Sequence, residues 1–218
     1  YHRTCQDCII SMNRAPINIL DRPLGGRGSR TGEANVSMSS FAYLYSELVQ
    51  YHQNRVDSIS ELERRLESSG YGVGLKVLDL LAFRSREYKR EIRLMNILQF
   101  VSTQVWKALF GKVADSLERS IDHADEFMII DHEPLTSTFV SVPSDFGQLS
   151  VDAYMSGIIS GVLEGAGFSA RVTAHSVKLE DAELAALAAN TVATSNSTRD
   201  LLPPRREKAV FLVKFSPE

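Results

Sequence analysis

The chain has 218 residues, 44% of them hydrophobic and 23% charged, with a formal net charge of −3. That composition is ordinary for a globular protein and supplies enough apolar material for a core, and the length fits one domain with some extra tail or loop. A slightly acidic chain is poorly suited to a nucleic-acid backbone, so no nucleic-acid partner is expected.

Cysteine occurs twice, at Cys5 and Cys8, so no disulfide framework can span a domain and a reducing compartment is expected. No apolar run reaches the ~18–20 residues of a membrane span, and no signal-peptide pattern opens the sequence. Residues 1–35 are rich in Gly, Arg, Asn and Pro and lack periodicity, which predicts a flexible N-terminal tail with a short apolar patch at 17–20. A single folded domain is expected over 36–218.

The first predicted helix covers 37–56. On a wheel at 100° per residue, Phe41, Ala42, Leu44, Tyr45, Leu48, Val49 and Tyr51 help to cover about half its circumference. A surface helix needs a stripe of roughly 100°, so this one is expected to bury two flanks, one of them against a partner. Tyr45 and Leu48 mark the centre of the arc. Ala42 and Val49 lie at one edge, Leu44 and Tyr51 at the other, and one edge is expected to face the partner. A second helix opens at the capping box Ser58-Ile-Ser-Glu61, keeps Ile59, Leu62 and Leu66 in phase, and is expected to stop at Gly70. A third is expected from 72 to 84 and a fourth from 88 to 110, with Gly111 as its break and one more helical turn at 114–119. Trp106, in phase with Leu98, Val101 and Val105, is expected to be a buried anchor.

The period then changes. Residues 126–131 and 137–142 read as strands of an antiparallel hairpin, 150–165 as a helix, and 170–177 and 209–215 as two further strands. The predicted class is α+β, a helical layer packed on a small four-stranded antiparallel sheet. Residues 178–208 are too long for a plain loop and read as a largely disordered insertion, dispensable for folding.

Little in the sequence points to chemistry. Cys5-Gln-Asp-Cys8 has the spacing of half a zinc site, but such a site needs four ligands and no second Cys/His pair exists. Gly70-Tyr-Gly72-Val-Gly74 follows no strand and precedes no Lys-Ser/Thr, so it reads as close packing rather than a phosphate loop. Asp122-His123, Asp125-Glu126 and Asp131-His132-Glu133 fall at strand ends, where solvated charges are expected. His52 and His175 read as satisfied, buried histidines. No nucleophile elbow, zinc-protease or kinase motif is present, so neither catalytic nor cofactor-binding residues are expected. One pattern does point outward. Ala153, Gly157, Gly161 and Gly165 recur every four residues, and each interior glycine costs a helix ~1 kcal/mol against alanine. Either this smooth face accepts another backbone or it is merely exposed. The candidate partner-interface residues are therefore Ala42, Leu44, Val49, Tyr51, Gly157 and Gly161.

Several stretches match a known family. They are Val36-Ser-Met-Ser-Ser-Phe-Ala-Tyr-Leu-Tyr-Ser-Glu-Leu-Val-Gln50, Ser69-Gly-Tyr-Gly-Val-Gly-Leu-Lys-Val-Leu-Asp79, Phe100-Val-Ser-Thr-Gln-Val-Trp-Lys-Ala-Leu-Phe-Gly-Lys112, Phe139-Val-Ser-Val-Pro143 and Gly167-Phe-Ser-Ala-Arg-Val-Thr-Ala-His175. On these segments the chain resembles the small α/β subunits of TRAPP, the transport protein particle that tethers vesicles in ER–Golgi and Golgi traffic. The resemblance implies a non-catalytic scaffold, cytoplasmic and peripherally associated with ER and Golgi membranes. It implies helix pairing with a related acylated subunit, a longin-type subunit on the other side, and a whole assembly that promotes nucleotide exchange on a Rab GTPase. Contact with the membrane is implied to be indirect. The acylated relative carries a helical cysteine, and here no cysteine follows Cys8. A competing reading is a small-molecule or lipid-binding module with a cavity between helices and sheet.

Overall fold

The computed structural model of the chain describes residues 36–85, 90–121, 123, 125–140, 142, 149–179 and 207–215. The expected tail at 1–35, with Cys5 and Cys8, lies outside them, as do Asp122 and residues 180–206 of the expected insertion.

Two serines start the first two helices. Ser37 accepts the Ser40 N–H at 3.3 Å and caps α1 (Met38–Gln53). Ser58 accepts the Glu61 N–H at 3.3 Å and caps α2. Each meets an N–H that the first helical turn leaves without a backbone partner. Glu61 sits at the positive end of the α2 dipole and pairs with Arg65 one turn on.

α2 does not stop at Gly70. It runs unbroken as Ile59–Arg84, 26 residues, joining two helices that the glycines seemed to separate. The reason lies 80 residues further along the chain. α6 (Ala153–Gly165) crosses α2 with the two backbones in contact. A Cβ on Gly70 would stand 2.0 Å from the Tyr154 carbonyl oxygen, and one on Gly74 2.3 Å from that of Ile158. Reciprocally, a Cβ on Gly157 would stand 2.0 Å from the Glu67 carbonyl oxygen, and one on Gly161 2.3 Å from that of Tyr71. These glycines are kept for close approach, and the packing outweighs their helix cost of ~1 kcal/mol each.

α3 (Leu94–Phe100) continues through a π-helical turn (Val101–Val105) into α4 (Trp106–Phe110), and Gly111 closes it in the left-handed conformation at φ 71°. At the π turn the Ser102 carbonyl accepts the Ala114 N–H at 2.9 Å, which turns the chain toward the sheet. The sheet holds β1 (Ser116–Arg119), β2 (Glu126–Asp131), β3 (Ala170–Lys178) and β4 (Glu207–Phe215), all antiparallel in the order β1-β2-β4-β3. The α+β plan is therefore present, with two of its pieces exchanged. Residues expected to form a last helical turn at 114–119 instead pair with β2, Ser116 opposite Ile130. The expected strand at 137–142 is replaced at its start by one helical turn, α5 (Leu135–Thr138). There the Thr136 hydroxyl bonds the buried Asp152 carboxylate, and the Thr138 hydroxyl donates to the Pro134 carbonyl at 2.7 Å. Local side-chain bonds of this kind compete with a strand ladder.

One sheet face, with Phe127, Ile129, Phe211 and Val213, packs under Leu98, Val105, Trp106 and Ile159 of the helices. Trp106 is 1% exposed. Its ring sits between Phe110 and Phe211 at centroid distances of 5.9 and 5.6 Å. Its Nε1–H donates to the Asp131 carboxylate at 3.0 Å, which also accepts from the Lys112 ammonium and the Glu133 N–H. Asp131, expected among solvated strand-end charges, is buried because three donors meet it there. Trp106→Ala is expected to destabilise the fold by ~3–5 kcal/mol in urea unfolding, since it opens a cavity and removes one of those donors. The wild-type indole should emit in the blue and resist iodide; a red-shifted, freely quenched tryptophan would remove it from the core.

Between helices and sheet, the side chains of Leu98, Val101, Val105, Trp106, Ile159, Ile129 and Phe211 pack together in one core. A cleft of about 270 Å³, lined by Arg64, Glu67, Ser68, Tyr71 and Ser160, lies over the α2–α6 crossing.

Candidate functional site

α1 is apolar on two sides. Its inner side enters a second core with Leu62, Leu66, Val151 and Ala153, and there Tyr45 is 4% and Val49 6% exposed. The Tyr45 ring stacks on Phe41 at 5.7 Å, and its hydroxyl donates to the Val151 carbonyl at 2.7 Å. Burial, and then the neighbouring Asp152 charge, push the Tyr45 phenol well above its ordinary range, so it stays protonated and keeps donating. On the other side Leu44 is 72% and Tyr51 48% exposed, with Tyr43 beside them. Leu44 and Tyr51 are seven residues apart, which places them nearly one above the other on a helix. The Arg55 guanidinium lies 3.5 Å above the Tyr51 ring and donates to the Tyr51 carbonyl at 2.9 Å, so the end of this surface is held in place.

The six candidate interface residues therefore separate. Leu44 and Tyr51 are open to a partner, and Ala42 is half-buried. Val49 belongs to the chain's own core and cannot serve. Gly157 and Gly161 do admit another backbone, but it is that of α2, so no partner can use them. Tyr43 escaped the sequence reasoning because it lies outside the apolar arc; a wheel that scored the far side for aromatics would have found it.

Among the described residues the acidic and histidine positions do not converge. His132 Nδ1–H donates to the Asp115 carboxylate at 3.0 Å, and Asp131 is committed to Trp106. Among the described residues no group of three His, Cys, Asp or Glu could hold a metal. His175, expected to be buried, is exposed on the edge strand β3, with Thr173 Oγ1 3.0 Å from its Nε2. No helix among the described residues is long and apolar enough to cross a membrane.

His52 joins α1 to α2. The Ser69 hydroxyl donates to the Arg65 carbonyl at 2.9 Å, so it accepts from His52 Nε2–H at 3.0 Å. Nδ1 is buried with no partner among the described residues. Burial, then the Arg65 and Arg55 charges, lower its pKa from the usual 6.5. The unfolded chain thus takes up this proton more readily than the folded one. Stability should fall as pH drops below about 6.5 and level off below the lower folded pKa. Thermal unfolding between neutral and mildly acidic pH should show this slope, and His52→Gln should flatten it; an unchanged slope would clear His52 of the role.

Comparison with known proteins agrees with this anatomy. The family model described as Transport protein particle (TRAPP) component matches residues 41–195. The chain belongs to the TRAPP component family. The chain is 42% identical over 207 residues to a trafficking protein particle complex subunit 5 of Dictyostelium discoideum, covering 95% of this chain and 97% of that one. It is 46% identical over 157 residues to the subunit 5 of Homo sapiens, covering 69% of this chain and 84% of that one. Among solved structures, a trafficking protein particle complex subunit 3 from Naegleria fowleri, covalently bound to palmitic acid, superposes with a TM-score of 0.60 at 18% identity, covering 82% of this chain and 94% of that one. That likeness shows the fold. The resemblance read from the residues, which is strongest to subunit 5, is therefore shown.

Proposed function

We propose that the chain is a non-catalytic scaffold of a TRAPP assembly, of the subunit 5 type, and that it pairs with a related small subunit through the outer side of α1. The observation that carries this reading is the exposed pair Leu44 and Tyr51 on a helix whose opposite side is already buried at Tyr45 and Val49. A soluble domain that leaves apolar side chains in line on a regular helix usually covers them with a partner. One helix with its neighbour can supply much of the ~800 Å² per partner of a standard interface.

In this reading the assembly, rather than the chain, promotes nucleotide exchange on a Rab GTPase in ER-to-Golgi and Golgi traffic. A longin-type subunit completes the neighbourhood, and the chain is cytoplasmic and peripheral to ER and Golgi membranes. No cofactor is required. Co-expression with a related acylated subunit should give a heterodimer by size exclusion, and the chain by itself should leave nucleotide release from a Rab GTPase at the spontaneous rate. Release accelerated by the isolated chain would overturn the scaffold reading.

A further inference from the structure

We propose that the outer edge of β3 is a docking site for an extended, acidic segment of a protein partner, which adds to the sheet as a further strand. β3 is the last strand in the order β1-β2-β4-β3. One of its edges pairs with β4 without a break, from Ala170 opposite Phe215 to Lys178 opposite Glu207. Among the described residues no strand pairs with the other edge. An edge strand turns unpaired N–H and C=O groups outward, which makes it a template for another chain. Proteins usually protect such an edge with a short strand, a bulge or a proline. β1, at the opposite edge of the sheet, is four residues long. β3 runs for nine, holds no proline and keeps a constant register with β4. Ala170, Val172 and Ala174 pack against the core, but from His175 to Lys178 every side chain is exposed, Val177 at 41%. Successive residues of a strand point to opposite faces, so this half of β3 is open on both faces as well as along its edge.

Charge chooses the occupant. β3 carries Arg171 and Lys178 and no Asp or Glu. Both cations are exposed, and among the described residues no carboxylate lies within ion-pair distance of either. Glu67 acts on Arg171 only from further away. A second copy of this chain laid along the edge would bring the same two cations to one seam, with no carboxylate on either strand to neutralise them. Like charges across a strand pair are unfavourable, whereas opposite charges stabilise it. An extended segment with Glu or Asp at alternate positions meets Arg171 and Lys178 directly. Main-chain hydrogen bonds then supply the attachment, and charge selects the partner. The inference uses β3 alone and does not rest on pairing through α1.

The test uses the full chain and three synthetic peptides as long as β3: one alternating Glu and Val, one alternating Lys and Val, and the Glu/Val peptide with a central proline. Amide hydrogen exchange, resolved residue by residue by NMR, is the readout. In the free chain the outward-facing amides of β3 should exchange fast. The Glu/Val peptide should slow them, and its binding should weaken as salt rises. The proline peptide should bind far less, because it cannot complete the ladder. Arg171→Glu with Lys178→Glu should lower affinity for the Glu/Val peptide by about ten-fold and let the Lys/Val peptide bind in its place. Lys76→Glu, the same charge reversal on α2, should change neither. Thermal unfolding checks that the variants fold, and should the double reversal melt early, Arg171→Gln with Lys178→Gln takes its place and should lower Glu/Val affinity alone. Three results would each overturn the proposal. The proline peptide could bind as well as the parent, which would make the contact charge without strand pairing. The Lys/Val peptide could bind the wild type equally well. The outward amides could already be protected in the free chain, which would mean that its own residues or a second copy cover the edge.

Discussion

Gly157→Ala is expected to destabilise the chain by ~3 kcal/mol or more, although alanine is the better helix former. The added Cβ would meet the carbonyl oxygen, carbonyl carbon and Cα of Glu67 at 2.0, 2.7 and 2.9 Å. All three are backbone atoms of α2, so no side chain can swing away. Relief requires the two helices to part along their crossing, which opens voids beside Leu78, Ile158 and Val162. Overpacking against mobile side chains costs ~1–3 kcal/mol, and a backbone collision belongs at the upper end or above it. The ~1 kcal/mol gained in helix propensity offsets only part of that. A domain whose total stability is of order 5–15 kcal/mol has little margin for it. Gly72→Ala is the matched control: it lies on the same helix, and its Cβ would meet nothing within 4 Å. It should raise the melting temperature through propensity alone. Urea and thermal unfolding of the two variants decide the matter, and if Gly157→Ala also stabilises the chain, the crossing is not as close as described.

Leu44→Glu should have the opposite profile, abolishing pairing while leaving the free chain intact. Leu44 is 72% exposed, so a glutamate there loses almost nothing in the monomer; exposed substitutions usually stay within ±0.5 kcal/mol. In a desolvated contact the same carboxylate has no partner and is strongly unfavourable. A loss of ~3 kcal/mol or more, about 100-fold in Kd, would remove the heterodimer at ordinary concentrations. Val49→Glu separates the two sides of α1, because Val49 is 6% exposed and packs in the inner core. It should lower the melting temperature before any partner is added. Size exclusion of each variant with the related acylated subunit, beside melting curves of each alone, reads both effects. A full-strength heterodimer with Leu44→Glu would move the partner surface away from α1.

What the amino-acid sequence determined by itself was the character of single elements. The period of α1, the capping at Ser58, the burial of Trp106 and the strands β2, β3 and β4 are all local consequences of which side chains follow one another. The glycines every four residues in α6 left two readings open, a face that accepts another backbone or one merely exposed. Only the tertiary structure decided that a backbone does come close and which one it is, because Gly157 meets Glu67 across 90 positions of chain. The same contact carries α2 straight through Gly70. Pairing with β2 made a strand of Ser116–Arg119, where local pattern suggested a helical turn. The donors Trp106 and Lys112 drew Asp131 inside. Along α1, periodicity showed that the apolar arc was too wide for one neighbour but could not tell Val49 from Leu44. A hydrophobic pattern records how much of a helix avoids water, and what covers each side is set by elements far away in the chain or by another chain altogether.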